Sequence, residues 1–235
     1  MKIKASFVAL FVFCVSLALA FEKTERLSLP ADGIDILSID CGAGALHVQG
    51  EESLARIEVE AEIIVKGKSE RVAEDYIKRN VRLELRKEGR KAVLLSAFKS
   101  AFSRISFRQR VINLTVKLPK NMDLDVEDGS GEVMIFHIDG NIRADDGSGK
   151  ISILDIQGDV DIDDGSGTIE VRDVSGSVAI DDGSGMIRVE NIGENVKVSD
   201  GSGSILIDGV GGDVLIKDDG SGSLTIHYVK GKIIK

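Results

Sequence analysis

The 235 residues contain no tryptophan, 4% aromatic residues and two cysteines, at a formal net charge of −9. The acidity lies in residues 128–235, where 21 Asp and Glu stand against 9 Lys and Arg, which argues against a nucleic-acid partner for that half. So few aromatic rings also leave little of the stacking surface on which many sugar-binding grooves rely.

Residues 1–20 read as a secretory signal peptide. Lys2 and Lys4 precede an apolar run at 5–17, and Ala18-Leu19-Ala20 is a small-x-small cleavage site. An uncleaved membrane anchor is the competing reading, but the run is short for a span. Cys14 follows Phe13, where a lipidation site needs a small residue. Cleavage near Ala20 would leave Cys41 as the single cysteine, so no intramolecular disulfide is expected. The expected localisation is extracytoplasmic: periplasmic, cell-surface or secreted.

Residues 21–127 are expected to form a β-rich portion continuous with the C-terminal half. Residues 38–48 match 179–189 position by position in their glycines and inward apolar residues. Cys41 takes the place of Asp182 and Ala43 that of Ser184, so this is read as a degenerate first coil beginning near residue 33. With Asp40 and small residues as neighbours, Cys41 is expected to be a structural thiol rather than a reactive one. Residues 56–65 alternate like a long strand. Val72, Ala73, Tyr76 and Ile77 then fall on one helical face, predicting a helix near 69–79 with Ser69 as N-cap and Asn80 as stop. Alternating runs at 81–85 and 93–97 flank Lys87-Glu88-Gly89-Arg90 and predict a hairpin.

Residues 89–122 contain no Asp or Glu, while Phe98, Phe102 and Phe107 stand among eight Lys and Arg. One reading is a peripheral contact with an anionic surface through Arg104, Arg108 and Arg110. The other is that the phenylalanines plug an open end of the fold while the arginines face its acidic flank.

Residues 128–235 carry Asp-Gly-Ser-Gly at Asp128, Asp146, Asp164, Asp182, Asp200 and Asp219, at spacings of 18, 18, 18, 18 and 19. So regular a period identifies a repeat architecture. Each repeat is expected to supply two or three short strands and two tight turns, which is one coil of a parallel β-solenoid. Five columns support this, beginning at Val133, Ile135, Ile138, Ile142 and Ala144; every later member is aliphatic. Positions between the columns are not kept from repeat to repeat. The extra residue of the fifth repeat falls at Asp218-Asp219.

The six repeat aspartates are the best candidates for chemistry. Stacked about 4.8 Å apart, like charges repel by roughly 1 kcal/mol per pair even in water. One offset is local, each carboxylate accepting the backbone N–H two residues on. The other is a bound Ca²⁺ on Asp128, Asp146, Asp164, Asp182, Asp200 and Asp219. The calcium β-roll pattern places its acid differently, so the turn-building reading is favoured. Catalysis has less support: His137 and His227 lie in the first and last coils and His47 is solitary. Asp-Gly-Ser-Gly is not a nucleophile elbow, and identical stacked carboxylates lack the differing environments that separate acid from base.

The ordered combination of signal peptide, the Leu-x-Ile-x-x-Gly-x-Gly segment within 37–48, one helix, the Val-x-Leu-Pro lead-in at 116–119 and Gly-Ser-Gly-x-apolar-x-apolar repeats resembles the bacterial "putative adhesin" β-strand-repeat proteins, also called toastrack-like domains. The resemblance implies a non-enzymatic extracytoplasmic β-solenoid and brings no catalytic residues; the function expected is an adhesin-like or envelope interaction scaffold that engages an unidentified envelope protein or polysaccharide. The alternatives are a calcium-binding solenoid and a carbohydrate-active β-helix enzyme.

Overall fold

The computed structural model describes residues 20–66, 69–99 and 109–235. The chain is a parallel β-solenoid of about 18-residue coils, with one helix among the described residues. Each regular coil contributes two strands, one long and one short, to two facing sheets. Gly167–Val174 followed by Val178–Asp182 is representative. The long strands pair in parallel register, with Ile151 beside Ile169 and Ile169 beside Ile187. The short strands do the same, with Ile162 beside Ile180 and Ile180 beside Val198. All five sequence columns face the space between the sheets, and their members from Val133 to Ile216 are buried. The last coil differs: Leu224, Ile226 and Val229 are half-buried and Ile233 is exposed.

Strict alternation does not explain why Val133, Ile135 and Ile138 are all inward, because the last step is three residues. The structure supplies the reason. His137, Asp155, Asp173, Asn191 and Tyr228 have φ between 51° and 60°, and Gly209 has φ 75°. One left-handed residue per coil bends the chain and returns the next aliphatic residue to the interior. Asn, Asp and Gly enter this region most readily.

The N-terminal part completes and closes the solenoid. In chain order it comprises β1 (Ala20–Pro30), β2 (Ile36–Ala43), β3 (Leu46–Glu51), β4 (Arg56–Lys66), α1 (Glu70–Asn80), β5 (Val81–Glu88), β6 (Lys91–Phe98) and β7 (Gln109–Pro119), with β8 (Asp123–Ile138) after them. Strands β2 and β3 form one coil that stacks on β8. Cys41 pairs with Asp128, Ala43 with Ser130, Leu46 with Val133 and Val48 with Ile135. The described residues between Glu51 and Asp123 are looped out, and their strands extend the two sheets. β7 adds to β3, and β4 and β1 lie antiparallel beyond it. β6 adds to β2, with β5 antiparallel beyond it.

Helix α1 packs against β1, β4 and β5 through buried Ala73, Tyr76 and Ile77. Ser69 stands at the N-cap in extended conformation, but its side chain makes no capping bond. At the other end Asn80 donates its side-chain amide to the Tyr76 carbonyl at 2.9 Å. The β5–β6 hairpin turns through Gly89 at φ 64°, the first central residue of a two-residue loop that needs positive φ there.

The second glycine of each Asp-Gly-Ser-Gly has a separate role. Gly167 has φ 148°, and a Cβ built there would overlap the Gly149 carbonyl oxygen of the neighbouring coil. Gly42, in the degenerate coil, has nothing within 4 Å of such a Cβ. Gly167→Ala should therefore destabilise the protein by about 3 kcal/mol or more, from backbone strain and a clash that no rotamer relieves. Gly42→Ala should stay within about 0.5 kcal/mol of the parent. Urea unfolding of both variants checks the contrast.

Candidate functional site

In the short strands from Ile142–Asp146 to Val196–Asp200 the inward parity set by the aliphatic residues continues to the repeat aspartate. Val178, Ile180 and Asp182 share one face, while Asp181 faces solvent. The repeat aspartates are therefore interior groups. Exposure falls from 7% at Asp128 through 3% at Asp146 and 2% at Asp164 and Asp182 to 0% at Asp200. Oδ1 of Asp146, Asp164, Asp182 and Asp200 accepts the N–H of Ser148, Ser166, Ser184 and Ser202 at 3.3, 3.2, 3.1 and 3.0 Å. Asp128 Oδ1 instead accepts the Cys41 S–H. The turn-building reading is thus what the geometry displays. Oδ2 of all five is buried with no hydrogen-bond partner.

Burial raises all five carboxyl groups above the usual range. Asp146 is pushed up to about 6 by desolvation and then by Asp128 and Asp164. Asp182 is likewise pushed up to about 6 by desolvation, with Asp164, Asp200 and Asp181 adding to it. Cys41 heads the column, its S–H donating to Asp128 Oδ1 at 3.2 Å. Burial and then Asp128 push the thiol well above its ordinary range, as befits a structural cysteine.

Asp219 departs from the expectation of a sixth rung and is corrected by the structure. The register shifts between Val198 and Ser199, so that Ser199 lies opposite Asp218. Asp218 Oδ1 accepts the Gly220 N–H at 2.9 Å, and both Asp218 and Asp219 are exposed. The extra residue, Lys217, is absorbed before the turn rather than within it, and Asp219 is exposed where the other five are interior.

Calcium prefers six to eight oxygen ligands. Each rung offers one oxygen not engaged by its turn, and its inward neighbours on the strand are aliphatic. Among the described residues no group of three or more His, Cys, Asp or Glu converges to hold a metal ion. Asp128, Asp146, Asp164, Asp182 and Asp200 thus offer fewer unengaged carboxylate oxygens per rung than calcium prefers. His137 lies 3.5 Å from Asp155 in the first repeats, whereas His227 lies opposite Asp208 in strand register in the last.

A second ladder was not anticipated from the sequence. Asp123 Oδ1 accepts the Asn141 N–H at 2.7 Å, Asn141 Oδ1 the Asp159 N–H at 2.9 Å and Asp159 Oδ1 the Ser177 N–H at 2.7 Å. Ser177 Oγ, Asn195 Oδ1 and Asp213 Oδ1 continue it to Asn195, Asp213 and Lys232. The signal was present as Asp, Asn or Ser at every eighteenth position from 123 to 213.

Arg110 donates to Tyr76 Oη at 2.6 Å and lies 5.9 Å from the centres of the Tyr76 and Phe98 rings. Arg104, Arg108, Phe102, Phe107 and the signal segment 1–19 lie outside the described residues. On the outer face of the long-strand sheet, half-buried Met134, Phe136 and Leu154 line a hollow of about 390 Å³ with Lys150, Glu170 and Arg172. No helix among the described residues is long and apolar enough to cross a membrane.

The aspartate geometry has a direct consequence for divalent ions. Thermal unfolding with about 5 mM EDTA and with about 5 mM calcium should give the same Tm within about 1 °C. A calcium-dependent rise of many degrees would restore the metal reading.

No protein-family model matches the sequence, and no curated protein matches it. Solved structures do resemble the fold. A "putative cell adhesion protein" from Clostridium sporogenes is 14% identical, with a TM-score of 0.45 over 90% of this chain and 97% of that one. A "putative adhesin" from Bacteroides fragilis is 12% identical, with a TM-score of 0.41 over 90% and 96%. A "putative lipid binding protein" from Parabacteroides distasonis is 11% identical, with a TM-score of 0.35 over 92% and 97%. At these values nothing about residues or activity transfers.

Proposed function

We propose that the protein is a non-enzymatic, extracytoplasmic interaction scaffold of adhesin type, engaging an envelope protein or polysaccharide through the outer faces of its coils. The observation that carries this reading is the division between inside and outside. The interior columns repeat from coil to coil, whereas the outward residues do not. Ser152, Glu170, Arg188 and Leu206 occupy one outward row in register. A rigid, repetitive interior thus supports a surface free to differ at every rung, which suits recognition better than catalysis.

The hollow around Phe136 and Leu154 is the proposed contact. It combines apolar side chains with a rim of both charges, including the Lys150–Glu170 pair at 2.9 Å. Interface centres favour aromatic and apolar anchors over a polar rim. Extracytoplasmic placement accords with the apolar segment at 5–17 and its small-x-small site.

Cosedimentation of purified protein with isolated bacterial envelopes tests both the scaffold and its contact. The parent should pellet with envelopes, and Phe136→Ala combined with Leu154→Ala should lower the bound fraction about tenfold, one or two anchors' worth. Its Tm should be almost unchanged, since both side chains lie on the solvent face. Equal binding by parent and variant would exclude the hollow; no binding by the parent would count against the scaffold reading itself.

A further inference from the structure

We propose that the buried aspartate column is a proton-binding site of the folded protein, so that its carboxyl groups are neutral in mildly acidic surroundings and the solenoid tightens as pH falls. The starting observation is geometric. Five carboxyl groups, each at least nine-tenths buried, stack in register along the interior, and each has one oxygen engaged and one without a partner. An ionised carboxylate in that position lacks the hydrogen bonds that make burial tolerable, and its neighbours one coil away repeat the problem.

Three partners would remove the mismatch. A cation needs several oxygens around one point, whereas the rungs offer one each. A water needs two to four polar groups, whereas the inward neighbours are Ala144, Ile162, Ile180 and Val198. A proton needs no cage of oxygens: it converts the orphaned oxygen to a hydroxyl and removes the charge, the costlier part of the mismatch. Rungs this close titrate as a coupled set rather than one by one.

The turn N–H groups and, at Asp128, the Cys41 S–H favour the charged form, but burial outweighs them and the remaining neighbours oppose the charge. Along the column the neighbours are the Cys41 thiol at one end and Asp218 beyond Asp200 at the other. The outward-facing groups that act on the aspartates are Asp163 and Asp181, and Asp40 acts on Cys41, again acids. The facing long strands present Val133, Ile151, Ile169, Ile187 and Ile205, which are uncharged. The upward shifts of Asp146 and Asp182 to about 6 agree with this geometry.

Proton linkage gives the pH effect its direction. A carboxyl group whose folded pKa is raised contributes its full stability below the unfolded value near 3.8 and loses it as pH rises through the folded value. The window runs from about pH 4 to just above 6, and stability falls across it. Such a protein would hold its display surface most firmly in mildly acidic surroundings.

The test compares the full chain with Asp146→Asn/Asp164→Asn/Asp182→Asn. Asparagine keeps Oδ1 for the serine N–H and sets an amide where the protonated oxygen would be. Raising the pH from about 5 to about 7.5 should lower the parent Tm by roughly 5–10 °C. The triple variant should show a much flatter profile and exceed the parent at the upper end. Infrared spectra of the parent near pH ~5 should contain a neutral-carboxyl band, weakened in the variant. Asp182→Asn alone serves if the triple variant does not fold, with the same changes at reduced size. A parent Tm that rises with pH, no difference in slope between parent and variant, or absence of the neutral-carboxyl band would overturn the proposal. So would a Tm at pH ~7.5 that rises with sodium, potassium or calcium in the parent and not in the variant, since the partner would then be a cation.

Discussion

In a parallel coil held in register, every side chain lies about 4.8 Å from its counterpart in the coils above and below. A residue type is admitted at a position only if it tolerates stacking on its own kind. Valine and isoleucine satisfy this in the interior because branched side chains pack densely on a pleated surface. Asparagine, aspartate and serine satisfy it at one corner because each side chain accepts a backbone N–H from the next coil. Glycine satisfies it at the other corner because any Cβ would strike the carbonyl of the adjoining coil.

The aspartate column is the exception that the same constraint exposes. Its turn bond accounts for one oxygen per rung and for the repetition of aspartate at that place. It does not account for the second oxygen, which faces the interior without a partner. Where Cys41 replaces aspartate at the head of the column, the thiol keeps a polar contact with the next rung and carries no comparable charge.

The N-terminal part solves a different problem. A stack of coils exposes strand edges and the end of its core, both of which invite pairing with other chains. Here antiparallel strands extend each sheet and α1 lies across them with Ala73, Tyr76 and Ile77 turned inward. Arg110, over the rings of Tyr76 and Phe98, belongs to this closure. The acidic stack is thus joined to a charge-balanced end structure, and the variable outer face of the first repeats lies close to their junction.

The solenoid, the coil length, the five aliphatic columns, the helix and the hairpin were legible in the sequence, because period-two alternation and an 18-residue repeat report directly which face each side chain occupies. The place of Cys41 and Ala43 in a degenerate coil was legible for the same reason. The inward direction of the aspartates was present in that parity too, although their place before Gly-Ser-Gly pointed only to a turn-building role. What only the tertiary structure decided was partnership. The pairing of β2 and β3 with β8 spans the looped-out segment, the capping ladder joins residues 18 apart through backbone N–H groups, and in the last coil Asp218 makes the bond to Gly220 while Asp219 stays exposed. Alternation specifies a face, whereas a hydrogen-bond partner or a register shift depends on which neighbouring coil the folded chain brings alongside.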